Sequence, residues 1–402
     1  MTDLHSLDDA LAQLLENRVP LGAEEISLGD CEGRYLAVDI CAHHDSPRFN
    51  ASAMDGYALR SADAGQVVTV SQRVAAGSVP TPLGRGEGAR IFTGAPLPEG
   101  ADCVVMQENI TERSGKIHLP AHLAMGDNVR LKGREVRTGD VLIKAGQRIT
   151  PAAIGILASQ GLDRVAVRKR PRIALLATGD ELTPPGQPLS PGCIYDSNRW
   201  TLAALLRQFG AEIVINRHLP DRLDATRQAL VDAGQQADVV ITSGGVSVGE
   251  EDHVRPAVES LGRIDLWKLD IRPGKPLALG MLRHEDGTEV RVVGLAGNPV
   301  SSYVGTWLLL RPLIGALLGS HELGELPWVW ARAEFSEQTK GRWHYMRARI
   351  AGQNDEGIPL AQAYKDQDSS LLRSCLNADA LAVVPPHTCI KPGDWVKCLR
   401  LV

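Results

Sequence analysis

The sequence predicts a multidomain protein in which a doubly wound α/β domain is flanked by β-rich regions. Three observations support this fold class. The chain has 402 residues, which is too long for one ordinary hydrophobic core. Between residues 172 and 318, apolar strand-like runs alternate with helical patterns, as expected for a mostly parallel sheet. On either side of this region, short apolar segments are separated by Gly, Pro and Asp, which is typical of small β domains.

The composition argues against several classes of protein. The net charge of −5 lacks the basic excess of a nucleic-acid-binding protein. The longest apolar runs, such as Trp307 to Leu310, are too short to span a membrane, and Met1 to Arg18 does not resemble a signal peptide. The seven cysteines are scattered without a Cys-x-x-Cys pair, which fits reduced thiols and predicts no zinc site. We therefore expect a soluble cytoplasmic protein that binds neither nucleic acid nor membrane.

The first 160 residues predict two helices with β structure between them. Ser6 is expected to cap a helix that reaches Asn17, and a second helix is expected from Pro151 to Gln160. Two loops interrupt the β-rich part. Asp55 lies in a Met-Asp-Gly-Tyr turn, where it could simply cap its own backbone. Thr93 begins a Gly/Pro-rich loop and could bind a phosphate or cap a turn.

The α/β region has the clearest alternation of elements. Its expected strands are Ile173–Ala177, Glu212–Asn216, Val239–Ile241, Leu266–Ile271 and Arg291–Leu295. Its expected helices are 199–209, 220–233, 254–261 and an apolar helix that ends at Leu318. Beyond Pro327 four strand-like segments predict a small C-terminal β domain.

The central strand is followed by the most informative loop of the chain. Thr242-Ser-Gly-Gly245 lets the backbone turn sharply and present its N–H groups, and Ser247 follows. Carboxylates gather before the next helix, ending at Asp252. A Gly-rich loop with carboxylates at a helix start suits a phosphate-bearing ligand bridged by a divalent cation. Taken alone, the same residues also fit a tight turn with solvated acids.

Other polar residues follow the neighbouring strands. Ligands of open parallel sheets bind outside the carboxyl ends of the strands, so these loops are expected to meet at one edge. They carry Asp180, Glu181, Asp221, Lys275, Asn298, Pro299 and Ser301. Asp221 could alternatively cap a helix, and Lys268 could be a solvated strand residue. The chain lacks G-x-S-x-G, Walker A and G-x-G-x-x-G patterns, which favours metal-assisted phosphoryl chemistry with electrostatic positioning.

An ordered set of motifs resembles the MoeA family of molybdopterin molybdenumtransferases, whose eukaryotic relatives include the gephyrin E domain. The matching segments are Ser52-Ala-Met-Asp-Gly-Tyr-Ala58, Thr93-Gly-Ala-Pro96, Ala177-Thr-Gly-Asp-Glu-Leu182, Asp196-Ser-Asn198, Ser243-Gly-Gly-Val-Ser-Val-Gly249, Pro273-Gly-Lys-Pro276 and Gly297-Asn-Pro-Val-Ser301. They lie in order between residues 50 and 305, so the resemblance covers most of the chain.

The resemblance implies an elongated homodimer that works with other molybdenum-cofactor biosynthesis proteins. It implies an N-terminal helix at 1–20, domain I at 21–44 and 139–168, β-rich domain II at 45–138, a molybdopterin-binding α/β domain III at 169–325 and a C-terminal β-barrel at 326–402. The implied Mg²⁺-dependent reaction inserts molybdate into adenylylated molybdopterin, releases AMP and gives molybdenum-molybdopterin. Because the dithiolene carries the molybdenum chemistry, the protein would mainly bring two anions together.

The resemblance also implies roles for individual residues. Catalytic roles fall to Glu181, Asp221, Asp252, Lys268 and Lys275, of which the three acids would hold the metal. Substrate and anion binding falls to Asp55, Thr93, Ser243, Gly244, Gly245, Ser247, Arg272, Asn298, Pro299, Ser301, Ser369 and Ser374, with Asp55 and Thr93 approaching from the partner subunit. The chain departs from the family pattern at Arg48, Ala51, Arg272 and Ala296, which replace a proline, a polar residue, a lysine and a proline. These departures bear on anion affinity more than on the reaction class.

Two other functions fit the same motifs. A related adenylyltransferase would activate molybdopterin with ATP and release pyrophosphate. A non-catalytic pterin carrier would bind the ligand tightly without releasing AMP, although the retained acids argue against it.

Overall fold

The computed structural model describes residues 4–246, 252–283, 287 and 289–401. The chain divides into two compact units. The smaller unit comprises residues 39–144 and 152–163, and the larger unit comprises residues 1–38, 145–151 and 164–402.

The smaller unit is built mainly from β-strands, as predicted. Six strands, all in the fully described span 56–118, form one sheet in the spatial order Cys103–Met106, Gly56–Leu59, Glu87–Ile91, Val67–Val74, Lys116–His118 and Glu112–Arg113. Two short pairs join Ala51–Ser52 to Val129–Arg130 and Ile40–Cys41 to Val141–Ile143. The predicted helix is present as Pro151–Ser159 and begins at its proline.

A mixed sheet organises the larger unit. Its strands in the described part of the chain are β1 (Arg172–Thr178), β2 (Glu212–Leu219), β3 (Val239–Ser243), β4 (Gly262–Trp267), β5 (Leu277–Arg283) and β6 (Glu289–Leu295), in the order β2-β1-β3-β6-β5-β4. β1, β2, β3 and β6 are parallel, whereas β5 is antiparallel to both of its neighbours. The mostly parallel α/β sheet is therefore confirmed, but β5 was not predicted. β4 runs in the same direction as β6, so its carboxyl end lies at the edge where β1, β3 and β6 also end.

Helices cover both faces of this sheet. They are Leu7–Leu15, Asn198–Gln208, Leu223–Gln236, Val254–Leu261 and the continuous segment Pro299–Leu318, which contains a π-helical turn at Thr306–Leu310. Along β1, Ile173 and Leu175 join one buried cluster while Ala174 and Leu176 join another, because successive side chains of a strand point to opposite faces. Ser6 caps the first helix as predicted, since its Oγ accepts a 3.0 Å hydrogen bond from the Asp9 N–H.

One helix among the described residues, Pro299–Leu318, is long and apolar enough to cross a membrane. Most of its apolar window, 89%, is buried inside the protein, as is also usual for a core helix of a globular domain.

The C-terminal part of the larger unit is a closed β-barrel. Its strands, within a span described without gaps, are β7 (Trp328–Ala333), β8 (Trp343–Gln353), β9 (Pro359–Ala363), β10 (Ala380–Val384) and β11 (Trp395–Arg400). Each pairs with two others in the ring β8-β9-β7-β11-β10, and β10 closes the ring on β8. The barrel implied by the resemblance is therefore confirmed.

A short strand joins the barrel to the chain between β4 and β5. Sequence analysis predicted one strand from Leu266 to Ile271, and this prediction is wrong. β4 ends at Trp267, and Ile271–Arg272 instead pairs in parallel with Trp343 and His344 at the start of β8. The backbone at Lys268 has a φ of +80°, which separates the two segments.

The remaining elements are short. The paired strands are Ala23–Ser27 with Arg164–Arg168, Leu182–Thr183 with Ile194–Tyr195, and Glu337–Gln338 with Cys389–Ile390. In the described part of the larger unit, the short helices are the 3-10 helix Leu28–Asp30 and the α-helices His321–Gly324 and Arg373–Leu376.

Candidate functional site

A cavity of about 640 Å³ opens at the carboxyl edge of the central sheet. Many of the residues singled out by sequence meet there, namely Glu181, Asp221, Ser243, Gly244, Gly245, Asp252, Asn298 and Pro299. They come from the loops after β1, β2, β3 and β6, as expected for parallel strands whose ends share one edge. Ser247 lies outside the described residues.

The backbone of the loop after β3 requires its two glycines. Gly244 and Gly245 have φ values of +91° and +68°, a conformation that residues with a Cβ rarely adopt. A Cβ on Gly244 would lie 2.8 Å from the carbonyl oxygen of Thr178, and one on Gly245 would lie 2.4 Å from Cγ2 of Val254. The loop therefore packs directly against the end of β1 and the helix that begins at Val254.

Asp221 is held in place by two reciprocal hydrogen bonds with Asp180. Asp221 Oδ2 accepts a 3.0 Å hydrogen bond from the Asp180 N–H, and Asp180 Oδ1 accepts a 3.1 Å hydrogen bond from the Asp221 N–H. The alternative that Asp221 caps a helix is wrong, because the helix begins at Leu223 and its N-cap residue is Arg222. The Glu181 carboxylate packs against Gly179, where a Cβ would lie 2.4 Å from Oε2. Both carboxylate oxygens of Asp252 are buried.

Asn198 connects two of the loops. Its Nδ2 donates to Ser243 Oγ at 3.0 Å and to the carbonyl oxygen of Gly297 at 2.7 Å. Nearby, the almost completely buried Asp196 accepts a 2.7 Å hydrogen bond from Arg199 Nε. This charge-assisted pair fixes the start of the Asn198 helix, so the loops after β3 and β6 are held at a set spacing.

The acidic side chains fit a substrate-bound magnesium ion better than a complete metal site. In the part of the chain that the structure describes, no group of three or more His, Cys, Asp or Glu side chains is positioned to hold a metal ion. Mg²⁺ usually takes one or two protein carboxylates and completes its shell with water and substrate phosphates. Glu181, Asp221 and Asp252 line one cavity and could contribute in this way.

A second cavity of about 260 Å³ has cationic walls. It is lined by Arg272, Lys275 and Arg342, together with Ser301 and Ser369. Pro276 and Asn298 line both this cavity and the large one, so the two cavities are adjacent. Asp368 adds one carboxylate, so the three cations leave the lining with a positive balance. A small space with such a balance and two hydroxyl groups suits a compact oxyanion.

A buried arginine shapes the wall that carries Ser369. The guanidinium of Arg347, which has no exposed surface, donates to the carbonyl oxygens of Gln367 and Asp368 at 3.1 and 2.9 Å. Its Nε donates to Ser374 Oγ at 2.9 Å. Burial lowers the pKa of Arg347. The structure therefore places Ser374 behind the wall as a partner of Arg347, whereas Ser369 and Ser370 face the small and large cavities respectively.

Three further predicted residues are not among the lining residues of these cavities. Lys268 is not among the lining residues of either one; its N–H donates to the carbonyl oxygen of Leu277 at 3.0 Å. Asp55 and Thr93 belong to the smaller unit. There Asp55 Oδ1 accepts hydrogen bonds from the N–H and Oγ1 of Thr93 at 2.8 and 2.7 Å, which lower the pKa of the carboxyl group. Asp55 thus binds a loop 38 residues away instead of capping its own turn.

Sequence reasoning gave no role to several lining residues. Asp196, quoted only as part of a motif, lines the large cavity, and Arg342, Gln367 and Asp368 line the small one. Which of Ser369, Ser370 and Ser374 reaches the ligand was left open by the sequence, and Ser370 lines the large cavity. The polar run from Gln367 to Ser370 was a usable signal, since it interrupts the C-terminal β pattern. Arg342 gave no signal, because it lies in an ordinary polar loop between two barrel strands.

Comparison with known proteins matches the whole length of the chain. Three family models match in order: the MoeA N-terminal region (domains I and II) at residues 5–161, a probable molybdopterin binding domain at 174–316, and the MoeA C-terminal region (domain IV) at 333–401. The molybdopterin molybdenumtransferase of Haemophilus influenzae is 35% identical over 385 residues, which cover 94% of each chain. The chain belongs to the MoeA family. A second molybdopterin molybdenumtransferase, from a Nostoc species, is 35% identical over 415 residues and covers all of this MoeA chain and 94% of its own.

A solved structure shows the same MoeA architecture. The molybdopterin biosynthesis MoeA protein from Pyrococcus horikosii matches with a TM-score of 0.84 at 29% identity, covering 99% of each chain. The resemblance drawn from the motifs is therefore confirmed at the level of family and fold.

Proposed function

We propose that this MoeA family member inserts molybdate into adenylylated molybdopterin and releases AMP in a Mg²⁺-dependent reaction. The observation that carries the proposal is the pair of adjacent cavities with opposite chemical character. The large cavity is lined by a Gly-rich loop and by four carboxylates, those of Glu181, Asp196, Asp221 and Asp252, whereas the small one is lined by three cations and one carboxylate. The two meet at Pro276 and Asn298.

In this proposal the large cavity binds the pterin nucleotide. Mg²⁺ bound to the substrate phosphates would neutralise their charge and would take ligands from Glu181, Asp221 and Asp252. The Gly244–Gly245 loop and Ser243 would orient the phosphate groups. The carboxylates belong to different loops, so the bound nucleotide would hold those loops in one arrangement.

The small cavity would bind the second anion, molybdate. Lys275, Arg272 and Arg342 offset its charge, and Ser301 and Ser369 supply hydroxyl groups. Two anions repel each other in solution, and cationic walls beside the pterin site remove much of that cost. The main contribution of the protein is therefore to hold the two reactants next to each other, while the dithiolene supplies the metal-binding sulfur atoms.

AMP release from adenylylated molybdopterin, measured with Mg²⁺ and with or without molybdate, tests the proposal. Release that depends on molybdate is expected. Tight binding of the pterin without AMP release would overturn the proposal in favour of a carrier. Formation of pyrophosphate from ATP and molybdopterin would overturn it in favour of an adenylyltransferase.

A substitution of Glu181 tests the assigned metal ligands. Glu181→Gln should lower the rate of AMP release by about a hundredfold, since it removes one negative ligand from the metal and phosphate site. Glu356→Gln, in an exposed turn of the barrel, is the matched control and should leave the rate unchanged. Raising the Mg²⁺ concentration should partly restore the rate of AMP release by the Glu181→Gln variant. Equal rates for the two variants would remove Glu181 from the site.

The quaternary state and location form part of the same proposal. As the resemblance implies, we expect a cytoplasmic homodimer to which the partner subunit contributes Asp55 and Thr93, and which works with other molybdenum-cofactor biosynthesis proteins. Mixing an inactive Asp55→Asn chain with an inactive Glu181→Gln chain should restore activity if each site uses both subunits. A monomer in sedimentation experiments would contradict this expectation.

A further inference from the structure

A third cavity of about 340 Å³ lies at the start of β8 and is lined in part by Arg272. Arg272, Lys340 and Arg342 line it. Arg272 and Arg342 also line the small cavity that contains Lys275, which is called the cation-lined cavity from here on. The parallel pairing of Ile271–Arg272 with β8 places Arg272 directly beside His344. His344 also lines this cavity, together with Gln338 and Thr339.

One ring nitrogen of His344 forms a hydrogen bond, and the other has no hydrogen-bond partner among the described residues. Only 2% of its surface is exposed. Nδ1 lies 3.0 Å from Glu337 Oε1, and since a carboxylate only accepts hydrogen bonds, Nδ1 must be the donor. Nε2 is buried and has no hydrogen-bond partner among the described residues. A buried polar atom without a partner is unfavourable, so its position at a cavity wall points to a ligand.

The charge of the wall selects an anionic ligand. Three cations surround the space, while the one carboxylate in contact with His344, Glu337, is engaged by Nδ1. In the neutral ring Nε2 carries a lone pair and would repel an anion. A proton on Nε2 would make it a second hydrogen-bond donor and give the ring a positive charge that attracts the anion, while Nδ1–H keeps its bond to Glu337.

The groups around His344 keep it neutral while the cavity holds no anion. Burial, followed by Arg272 and Arg347, lowers the pKa of the imidazole, and Glu337 opposes them by raising it. Lys340 and Arg342 act in the same direction as Arg272. The ring of His387 lies beside Gly341 at the same wall, and a proton on it would also disfavour a charged His344. A bound dianion would reverse this balance.

We propose that the cavity between Arg272, Lys340, Arg342 and His344 is an accessory binding site for a tetrahedral oxyanion, and that His344 takes up one proton when the anion binds. The site is separate from the pterin and metal residues. Because Arg272 and Arg342 face both cavities, an oxyanion held here lies next to the cation-lined cavity. The accessory site would also raise the local concentration of molybdate at that cavity, and only this supply of molybdate rests on the proposed function.

Calorimetric titration of the full chain with molybdate, sulfate and phosphate in separate experiments tests the proposal. Titration in buffers of different ionisation enthalpy should show uptake of about one proton per anion at a pH above the pKa of free His344. The affinity should then rise as the pH falls, by up to about tenfold per pH unit, since binding is linked to one proton. Tighter binding of molybdate than of sulfate or phosphate would identify a substrate site, and equal affinities would identify a general oxyanion site.

Substitutions distinguish anion binding at the accessory site from anion binding at the cation-lined cavity. Lys340→Ala should weaken anion binding about tenfold through the loss of one charge-assisted contact, and His344→Gln should abolish proton uptake. Lys391→Ala, an exposed lysine elsewhere in the barrel domain, is the control. Lys275→Ala should remove only binding at the cation-lined cavity.

Two results would overturn the inference. One is unchanged affinity in Lys340→Ala together with unchanged proton uptake in His344→Gln. The other is complete loss of oxyanion binding in Lys275→Ala alone. Failure of AMP release in the earlier experiment, with oxyanion binding and proton uptake intact, would overturn the proposed function and leave the accessory site standing.

Discussion

The large cavity and the cation-lined cavity are neighbours, but they are built in different ways. The large cavity is formed mainly by loops that follow successive strands of one sheet, such as those that carry Glu181 and Asp221. The cation-lined cavity combines Lys275 and Ser301 of the α/β domain with Arg342 and Ser369 of the barrel domain. One domain's topology therefore defines the first cavity, whereas the second exists only when two domains are packed together. Substitutions can test separately whether the large cavity depends on its own loops and whether the cation-lined cavity depends on the packing of the two domains.

The largest expected effect comes from Gly245→Ala, which tests whether the large cavity depends on local loop geometry. The alanine would have to adopt a left-handed backbone conformation, and its Cβ would overlap with the side chain of Val254. Together these should lower the free energy of unfolding by about 4 kcal/mol and abolish pterin binding. Urea denaturation followed by circular dichroism measures the first effect.

Gly155→Ala is the matched control for that substitution. Gly155 lies inside the Pro151–Ser159 helix, and a Cβ there meets no atom within 4 Å. The control should raise stability by about 0.5–1 kcal/mol, because alanine loses less backbone entropy in a helix. Destabilisation of similar size in both variants would contradict the role of the loop.

A smaller and more selective effect is expected from Arg347→Met, which tests the barrel side. The loss of its donors leaves the carbonyl groups of Gln367 and Asp368 without partners and should cost about 2 kcal/mol. The KM for molybdate should rise while the affinity for the pterin nucleotide stays nearly constant. Arg349→Met, an exposed arginine on the same strand, should change stability by less than about 0.5 kcal/mol. A parallel loss of pterin affinity would show that the cavities are not independent.

The smallest effect on stability is expected in the smaller unit, at a residue that is not among the lining residues of either cavity. Thr93→Val removes one of the two hydrogen bonds that lower the pKa of Asp55, so that pKa should rise towards its ordinary value. A carboxyl group with a lowered pKa stabilises the folded state above the unfolded pKa, and this stabilisation is lost as the pH falls through the folded pKa. The variant should therefore lose stability at a higher pH than the parent chain. NMR titration of Asp55 measures the shift, and an unchanged pKa would contradict the assignment.

The difference between the cavities also explains what the sequence could predict. Hydrophobic alternation predicted the α/β sheet, and the rule that parallel strands end at one edge brought Glu181, Asp221 and Asp252 together. The same reasoning failed between Leu266 and Arg283. There a two-residue strand leaves the sheet for the barrel and an antiparallel strand follows, and apolar runs do not report strand direction.

Contacts between domains were beyond the reach of local patterns. Arg342 reaches the cation-lined cavity because the barrel packs there, and a basic residue in a polar loop has no distinguishing local pattern. Ser374 was predicted as a binding residue from the family resemblance, but its hydroxyl group bonds to a buried arginine. Which of several nearby serines faces a ligand depends on the helical turn at Arg373–Leu376 and on Arg347, which are features of packing.

The strand Ile271–Arg272 has a consequence for how this part of the molecule unfolds. It pairs with the barrel although the segments before and after it belong to the central sheet. One apolar core also combines side chains of both, including Leu277 and Leu295 of the sheet with Tyr345 and Leu399 of the barrel. Neither structure can melt without breaking hydrogen bonds or exposing core surface of the other, so the two should behave as a single cooperative unit. A substitution that loosens the barrel would then make the whole unit unfold sooner and so shorten the lifetime of the large cavity, without changing the affinity of that cavity in the folded protein, although no barrel strand contributes a side chain to its walls.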